Sequence, residues 1–410
     1  MKKCMTVLGF AVIAVLLLAE TSLFAQLQRP LLQRRNRVRV RQVQQNPDLF
    51  KPELYLELPE WCHNPDGMTV CPKTGTIYLN CPNFNTMDRK TGKKDFPATL
   101  SSIDKDGKLE KLLEYPPFEE TGQCGPMGLA IGPDGNLYVC DNQFFVSADY
   151  KSRLLCVEMK EGKPTGKITT VVEGMQLPNA ILWRGDELWI TDTCAVPDEF
   201  GAGGLWRFKG EEILGRTEPL KVLPKGEDEH LVVKVKVKKI GREDNSGPDG
   251  MTVDKNGIIY FGNFGDGVMY AVTTDKDGKV KCDKILDDGY QCCDGIFYDE
   301  NSDLIFINDS QRNSIRVLTP FNSNRVLLPP SPNPNGVRCW TLWENDDNDG
   351  AEGLLDQPAE LVVRDGKMII SNFDWPFPGL KNTKYDAPHT MSVIDITPLQ
   401  NRQPRPRQTR

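Results

Sequence analysis

One motif recurs six times along this chain of 410 residues, and a spaced repeat constrains the architecture before composition is consulted. Each copy opens with Pro or Cys, continues through a polar or small residue into a short apolar run, and turns at Gly, Asp or Asn. A second apolar run follows and ends in Asn or Asp. The first copy is Pro65-Asp66-Gly67-Met68-Thr69-Val70, returning as Ile77-Tyr78-Leu79-Asn80. The others open at Pro126-Met127-Gly128, Pro178-Asn179-Ala180, Pro248-Asp249-Gly250, Cys293-Asp294-Gly295 and Pro358-Ala359-Glu360. Copies one and four share Pro-Asp-Gly-Met-Thr-Val outright.

Every copy reads as a β-hairpin, two β-rich runs joined by a turn that suits Gly, Asp or Asn. Starts lie 45 to 70 residues apart, which leaves room for two further strands and variable loops. Leu154–Val157 with Ile168–Val172, and Val268–Val272 with Ile285–Leu286, are such strands. No long stretch keeps a 3.6-residue apolar period, so helices contribute little. The expected fold is all-β, a six-bladed β-propeller with a metal site in its central channel. An open ring would expose strand edges. Leu54–Leu58 is therefore expected to close it beside Met391–Ile396. His230–Lys238 alternates apolar and basic residues as an amphipathic strand, and residues 320–352 read as one long loop.

The boundaries follow from the repeat. Residues 1–25 carry two lysines and then an apolar run, a pattern expected of a signal peptide and short for a membrane span. A basic linker occupies 26–50, the propeller 51–398, and a basic tail 399–410. The expected destination is periplasmic or extracellular, with no stable membrane span once the signal is gone. A net charge of −7 argues against nucleic acid as the partner. Of twelve cysteines, eleven lie beyond the signal, an odd number whose connectivity is open. Cys292 and Cys293 are adjacent, so they form a vicinal pair or have separate partners.

Innermost strands of a propeller line its channel, so equivalent repeat positions converge on the axis. The residues after the Pro or Cys are Asp66, Met127, Asn179, Asp249 and Asp294. In the sixth copy Ala359 takes that place and Glu360 follows. Crowded carboxylates raise one another's pKa, and a hard cation relieves them. Calcium takes six to eight oxygens in irregular geometry and suits this set best. Zinc, magnesium and manganese are the alternatives, zinc being least favoured where His and Cys ligands are scarce. A Pro-Asp-Gly turn explains one such copy by itself, but not the Asn and Glu at other starts.

These segments resemble the gluconolactonase, senescence-marker and luciferin-regenerating family of six-bladed propellers, and more distantly the paraoxonases, over roughly residues 52–397. Leu177-Pro178-Asn179 with Leu188–Thr193 resembles the family's third-blade segment, and Pro248-Asp249-Gly250 its fourth. The resemblance implies a divalent metal held by Asp66, Asn179 and Asp249, with Asp249 also a general base. Asp66-Gly67-Met68 stands where the family has Glu-Gly-Pro, and Met127 where many relatives place a polar, substrate-facing residue. Asp294 and Glu360 are acidic extras.

The implied activity is metal-dependent hydrolysis of a lactone or related ester, with Asp249, Asp294 or Glu360 taking the proton of the attacking water. Another reading is a non-catalytic propeller that binds a sugar acid, peptide or protein around a structural calcium. Met127, Asn142, Arg153 and Asp309 are candidates to contact a small-molecule substrate. For Asn142 and Asp309 the commoner role is to cap a strand end. A lyase would call for a channel histidine, and His63, the one nearest a repeat start, reads as a loop residue. Neither a Gly-x-Ser-x-Gly elbow nor a phosphate-binding glycine loop is present.

Overall fold

The computed structural model describes residues 48–401 except 199, 239–244, 288–291, 322–336 and 377–378. The expected signal segment, nearly all of the basic linker and the end of the tail fall outside the described residues. From Phe50 onward the chain belongs to one compact unit.

Six antiparallel sheets follow in order. Blade 1 is Met68–Val70, Ile77–Cys81, Thr99–Ile103 and Leu109–Glu114. Blade 2 is Pro126–Ile131, Leu137–Asp141, Ser152–Lys160 and Lys163–Met175, with Leu220–Lys221 added in parallel at its edge. Blade 3 runs Pro178–Arg184, Glu187–Val196, Ala202–Lys209 and Leu231–Lys236, and blade 4 runs Pro248–Val253, Ile259–Asn263, Met269–Thr274 and Val280–Leu286. Blade 5 is Ile296–Asp299, Leu304–Asp309, Ser314–Leu318 and Cys339–Glu344. Blade 6 is Pro358–Arg364, Lys367–Asn372 and Thr390–Asp395, completed by Glu53–Glu57 from the other end of the chain.

That last pairing closes the ring in the expected place, with Leu56 opposite Met391. The Leu58 amide donates to the His389 carbonyl at 2.7 Å and extends the clasp. Arg364 binds across the seam, donating to the carbonyls of Gly75 and Asp104 at 2.9 and 2.8 Å and to the Tyr55 hydroxyl at 2.7 Å. The basic-faced segment is the outer strand of blade 3. The stretch 320–352 is not one loop, because Cys339–Glu344 forms the outer strand of blade 5. Its few apolar residues, set among Pro, Asn and Asp, hid the strand. Among the described residues helix is confined to single α-helical turns at Gly210–Ile213 and Thr397–Gln400 and a 3-10 turn at Phe84–Thr86.

Each second strand is buried along both faces because blades pack face to face. Trp189, Tyr138, Tyr260, Phe261 and Phe306 all lie fully inside.

Candidate functional site at the propeller axis

Two devices bring the strand starts together. The first is a break in register at the start of the innermost strands of blades 2, 3, 4 and 6, between Pro126 and Leu129, Pro178 and Ile181, Pro248 and Met251, and Pro358 and Leu361. Such a bulge takes the intervening residue out of the ladder and re-aims it. Met127, Asn179 and Asp249 are in this position. In blades 1 and 5 the regular strand begins later, yet Asp66 and Asp294 still donate their amides to the carbonyls of Asn80 and Asn308 at 2.9 and 3.0 Å.

The second device is side-chain stitching between blades. The second strand of one blade donates to the carbonyl of the axial residue in the next. Asn80 Nδ2 reaches Met127 O at 2.7 Å, Thr191 Oγ1 reaches Asp249 O at 2.6 Å, and Asn308 Nδ2 reaches Ala359 O at 2.7 Å. Ser371 Oγ completes the circle by donating to Asp66 O at 3.0 Å. Blades 2 and 4 carry Cys140 and Gly262 at this position. Close approach needs glycine: a Cβ on Gly250 would fall 1.8 Å from the Asp294 carbonyl oxygen. On Gly295 it would meet Glu360 Oε1 at 2.5 Å, so the absent side chain makes room for the carboxylate of Glu360.

The carboxylates therefore feel one another inside protein. Burial pushes the Asp66 carboxyl up to about 7. Its Oδ2 is buried and accepts no hydrogen bond. Burial raises Asp294 well above the carboxylate range, with the charges of Asp249 and Asp66 adding to it. Glu360 is raised well above its usual value by burial, opposed by the hydrogen bond from the Leu361 amide and reinforced by Asp294 and Asp66. Asp249 is 7 % exposed, and Asn179 is half-buried. The sequence-derived metal set (Asp66, Asn179, Asp249) and the acidic extras (Asp294, Glu360) thus all start strands at the axis. Hard oxygen donors, one of them orphaned, suit a hard divalent cation.

Met127 occupies an apolar cluster with Phe84, Ala359 and Phe373, against which Phe145 and Trp375 pack. The guanidinium of Arg89 lies 5.1 Å from the Trp375 ring centre. This aromatic group was not legible in the repeat, because Phe84, Phe145 and Trp375 follow the second strands of three different blades. The other candidates are engaged elsewhere. Arg153 pairs with Asp141 at 2.5 Å and lies 3.9 Å from the Phe118 ring centre. Asn142 caps its own loop, accepting from the Phe144 amide at 2.8 Å. Asp309 lies 3.5 Å from Arg316 in an ion pair. His63 is bound to the Tyr385 hydroxyl, which also reaches His389 Nε2 at 2.9 Å.

A second acidic group lies on the loops around blade 6. Oxygens of Asp356, Asp374 and Asp386 lie within 4.8 Å of one another, close enough for one cation to bridge them. No other such triplet of His, Cys, Asp or Glu occurs among the described residues, the axial carboxylates included. Burial pushes Asp356 up to about 9, with Asp374 and Asp386 adding to it. Asn382 Nδ2 donates to Asp356 at 2.6 Å and to Asp374 at 3.2 Å, and the Asp386 amide donates to Asp374 at 3.3 Å.

A family model described as SMP-30/Gluconolactonase/LRE-like region matches residues 63–285, and the chain belongs to that family. Among solved structures, a PQQ-bound aldose sugar dehydrogenase from Streptomyces coelicolor is 13 % identical with a TM-score of 0.52, covering 85 % of this chain and 99 % of that one. A luciferin-regenerating enzyme is 11 % identical with a TM-score of 0.51, covering 84 % and 95 %. A gluconolactonase from Xanthomonas campestris is 12 % identical with a TM-score of 0.46, covering 85 % and 90 %. At such identities the likeness concerns the fold. None of the curated proteins matches the chain. No helix among the described residues is long and apolar enough to cross a membrane.

Proposed function

We propose that this protein is an exported, metal-dependent hydrolase of a lactone or related ester, working at the propeller axis. The observation that carries the reading is the buried gathering of Asp66, Asp249, Asp294 and Glu360, with Asp66 Oδ2 lacking any donor. Asp66, Asn179 and Asp249 would hold a divalent cation, calcium being the best match to the oxygen donors. When bound, the cation supplies Lewis acidity to the substrate carbonyl. Asp249 takes the proton of the attacking water. Asp294 and Glu360, whose carboxyls burial raises well above the usual range, would return a proton to the leaving ring oxygen. Met127 and the rings beside it offer the hydrocarbon part of the substrate an apolar wall.

A second reading, a propeller that binds a sugar acid, peptide or protein around a structural cation, draws on the closure of the axis. Asp66 and Asp249 are only 6 % and 7 % exposed. A panel of sugar and aliphatic lactones, assayed with calcium and again with a chelator, separates the two. Hydrolysis that disappears on chelation and returns with calcium supports the enzyme. Absence of turnover across the panel, with one cation still bound per chain, supports the binding protein.

A further inference from the structure

Between the ring-closing strand and Asp66 the chain passes through Trp61, Cys62 and His63. The side chain of Asn83 holds this passage from both sides of Cys62. Its Nδ2 donates to Trp61 O at 3.0 Å, and its Oδ1 accepts from the His63 amide at 2.9 Å. The same Oδ1 accepts from Cys81 Sγ at 3.1 Å. One amide therefore fixes the neighbours of one cysteine and the thiol of another. Cys62 and Cys81 are each fully buried, belong to the same apolar cluster, and are free thiols in this structure. Nothing in the hydrolytic reading uses them.

We propose that Cys62 and Cys81 form a disulfide that staples the passage into blade 1 to the second strand of that blade. The bond arises by exchange with a small-molecule disulfide such as oxidised glutathione. One cysteine thiolate attacks a glutathione sulfur, forming a mixed disulfide and releasing one glutathione thiolate. The second cysteine thiolate displaces the other glutathione. Two electrons pass from the protein to the oxidant, and the two protein protons end on the two released thiols. The neighbouring Cys81 and burial push the Cys62 thiol well above its usual value. Exchange therefore belongs to folding, while the passage is still open, and the finished bond is shielded from reduction.

Separate observations bear on the neighbouring choices. Cys292 faces Ser310 Oγ at 3.2 Å and Cys293 faces Met269 Sδ at 3.4 Å, so the adjacent pair points to separate partners. Cys71, nearest Cys62 in sequence, is not fully buried and its thiol is pulled below the usual value by hydrogen bonds from Thr74 and Lys73 against a larger opposing effect of burial.

The test is to unfold the full chain under reduction and refold it in a reduced and oxidised glutathione buffer. Free thiols are then blocked, and the protein is digested with trypsin without reduction. Peptide 42–73 joined to peptide 74–89, in most of the refolded material and retained in a Cys71→Ser background, is the expected result. Cys62 and Cys81 both recovered in blocked form, or Cys62 joined to another cysteine, would overturn the proposal. Cys62→Ser, Cys81→Ser and the double variant should each lower Tm by the same amount, about 5 °C, in oxidising buffer. The difference from the parent should shrink on addition of reductant and refolding. If a variant does not fold, the peptide map of the parent still decides.

Discussion

Two groups of acids lie in this propeller, and they balance their charge differently. Around blade 6, Asp356, Asp374 and Asp386 stand close together: Asp356 and Asp374 accept from the Asn382 amide and Asp374 from the backbone amide of Asp386, while Asp386 Oδ1 accepts nothing. At the axis the acids are spaced more widely, Asp66 Oδ2 likewise has no donor, and burial is the first cause of the raised pKa of Asp66, Asp294 and Glu360, as it is for Asp356 and Asp386. The comparison teaches that proximity of carboxylates and unmet demand are separate criteria: the blade 6 acids meet the first more closely, and each group keeps one buried oxygen unmet. A buried oxygen without a partner retains its full desolvation cost, so a cation at either group would relieve it, and only variants of each can say which one binds.

The largest expected effect tests which group does chemistry. Asp249→Asn should lower lactone turnover by about 100-fold or more, the scale of a lost general base. Asp374→Asn should leave kcat within about threefold, since a polar substitution away from the reacting groups ordinarily leaves the barrier little changed. Unchanged turnover in Asp249→Asn would remove the proposed mechanism. The next effect concerns binding. Calcium at about a hundred times its Kd should stabilise the parent by about 3 kcal/mol in thermal unfolding. That gain should vanish in Asp249→Asn and persist in Asp374→Asn. The opposite pattern would move the cation to blade 6 and reverse the comparison.

The two groups also differed in how legible they were. Asp66, Asn179, Asp249 and Asp294 follow the Pro or Cys of a repeat, so aligning the copies placed them on one ring. Glu360 stands one step later, where other copies have Gly67, Gly128, Ala180, Gly250 and Gly295. Its proximity to Asp294 and Asp66 depends on the space at Gly295, a packing fact that no alignment of six short motifs contains. Asp356, Asp374 and Asp386 come from two irregular loops with no counterpart in other blades. Only tertiary contacts, such as those of Asn382 with Asp356 and Asp374, bring them together. Closure of the ring was readable because an unpaired apolar strand at one end needed an edge at the other. Cys339–Glu344 was missed because its neighbours are turn-forming residues.

Acid titration separates the groups without an assay of activity. In chelator, the folded chain keeps protons that the unfolded chain has lost, because both Asp66 and Asp356 have raised pKa values. Stability from each carboxyl is present at low pH and falls as pH rises toward the folded value. For Asp66 that window runs from the ordinary value of 3.8 to about 7, and for Asp356 from 3.8 to about 9. Asp66→Asn should flatten the Tm profile below neutrality and leave the fall between pH 7 and 9. Asp356→Asn should flatten that alkaline part. Calcium should reduce the slope in the parent more than in Asp66→Asn, because a bound cation stabilises the ionised form. Equal slopes in parent and Asp66→Asn would show that this carboxyl is not buried as described.

The smallest effect sharpens the comparison most closely, because two variants remove the same kind of bond at different distances from the charge. Asn308→Ala deletes a donor to the Ala359 carbonyl, and Ser371→Ala deletes the donor to the Asp66 carbonyl. Ser371→Ala removes the side-chain donor to the Asp66 carbonyl and should cost about 1–3 kcal/mol in denaturant unfolding, whereas the Ala359 carbonyl keeps the Gly295 amide at 2.7 Å, so Asn308→Ala should cost about 1 kcal/mol. Ser371 Oγ also accepts from the Glu360 amide at 3.0 Å, so it ties together the backbones that carry two axial acids. Asn308 serves a residue whose side chain is a methyl group. Ser371→Ala should therefore weaken calcium several-fold, and Asn308→Ala should not, although both variants lose stability. Equal calcium affinity in the two variants would mean that stitching supports the ring without positioning its acids, and that strand-start geometry alone holds them.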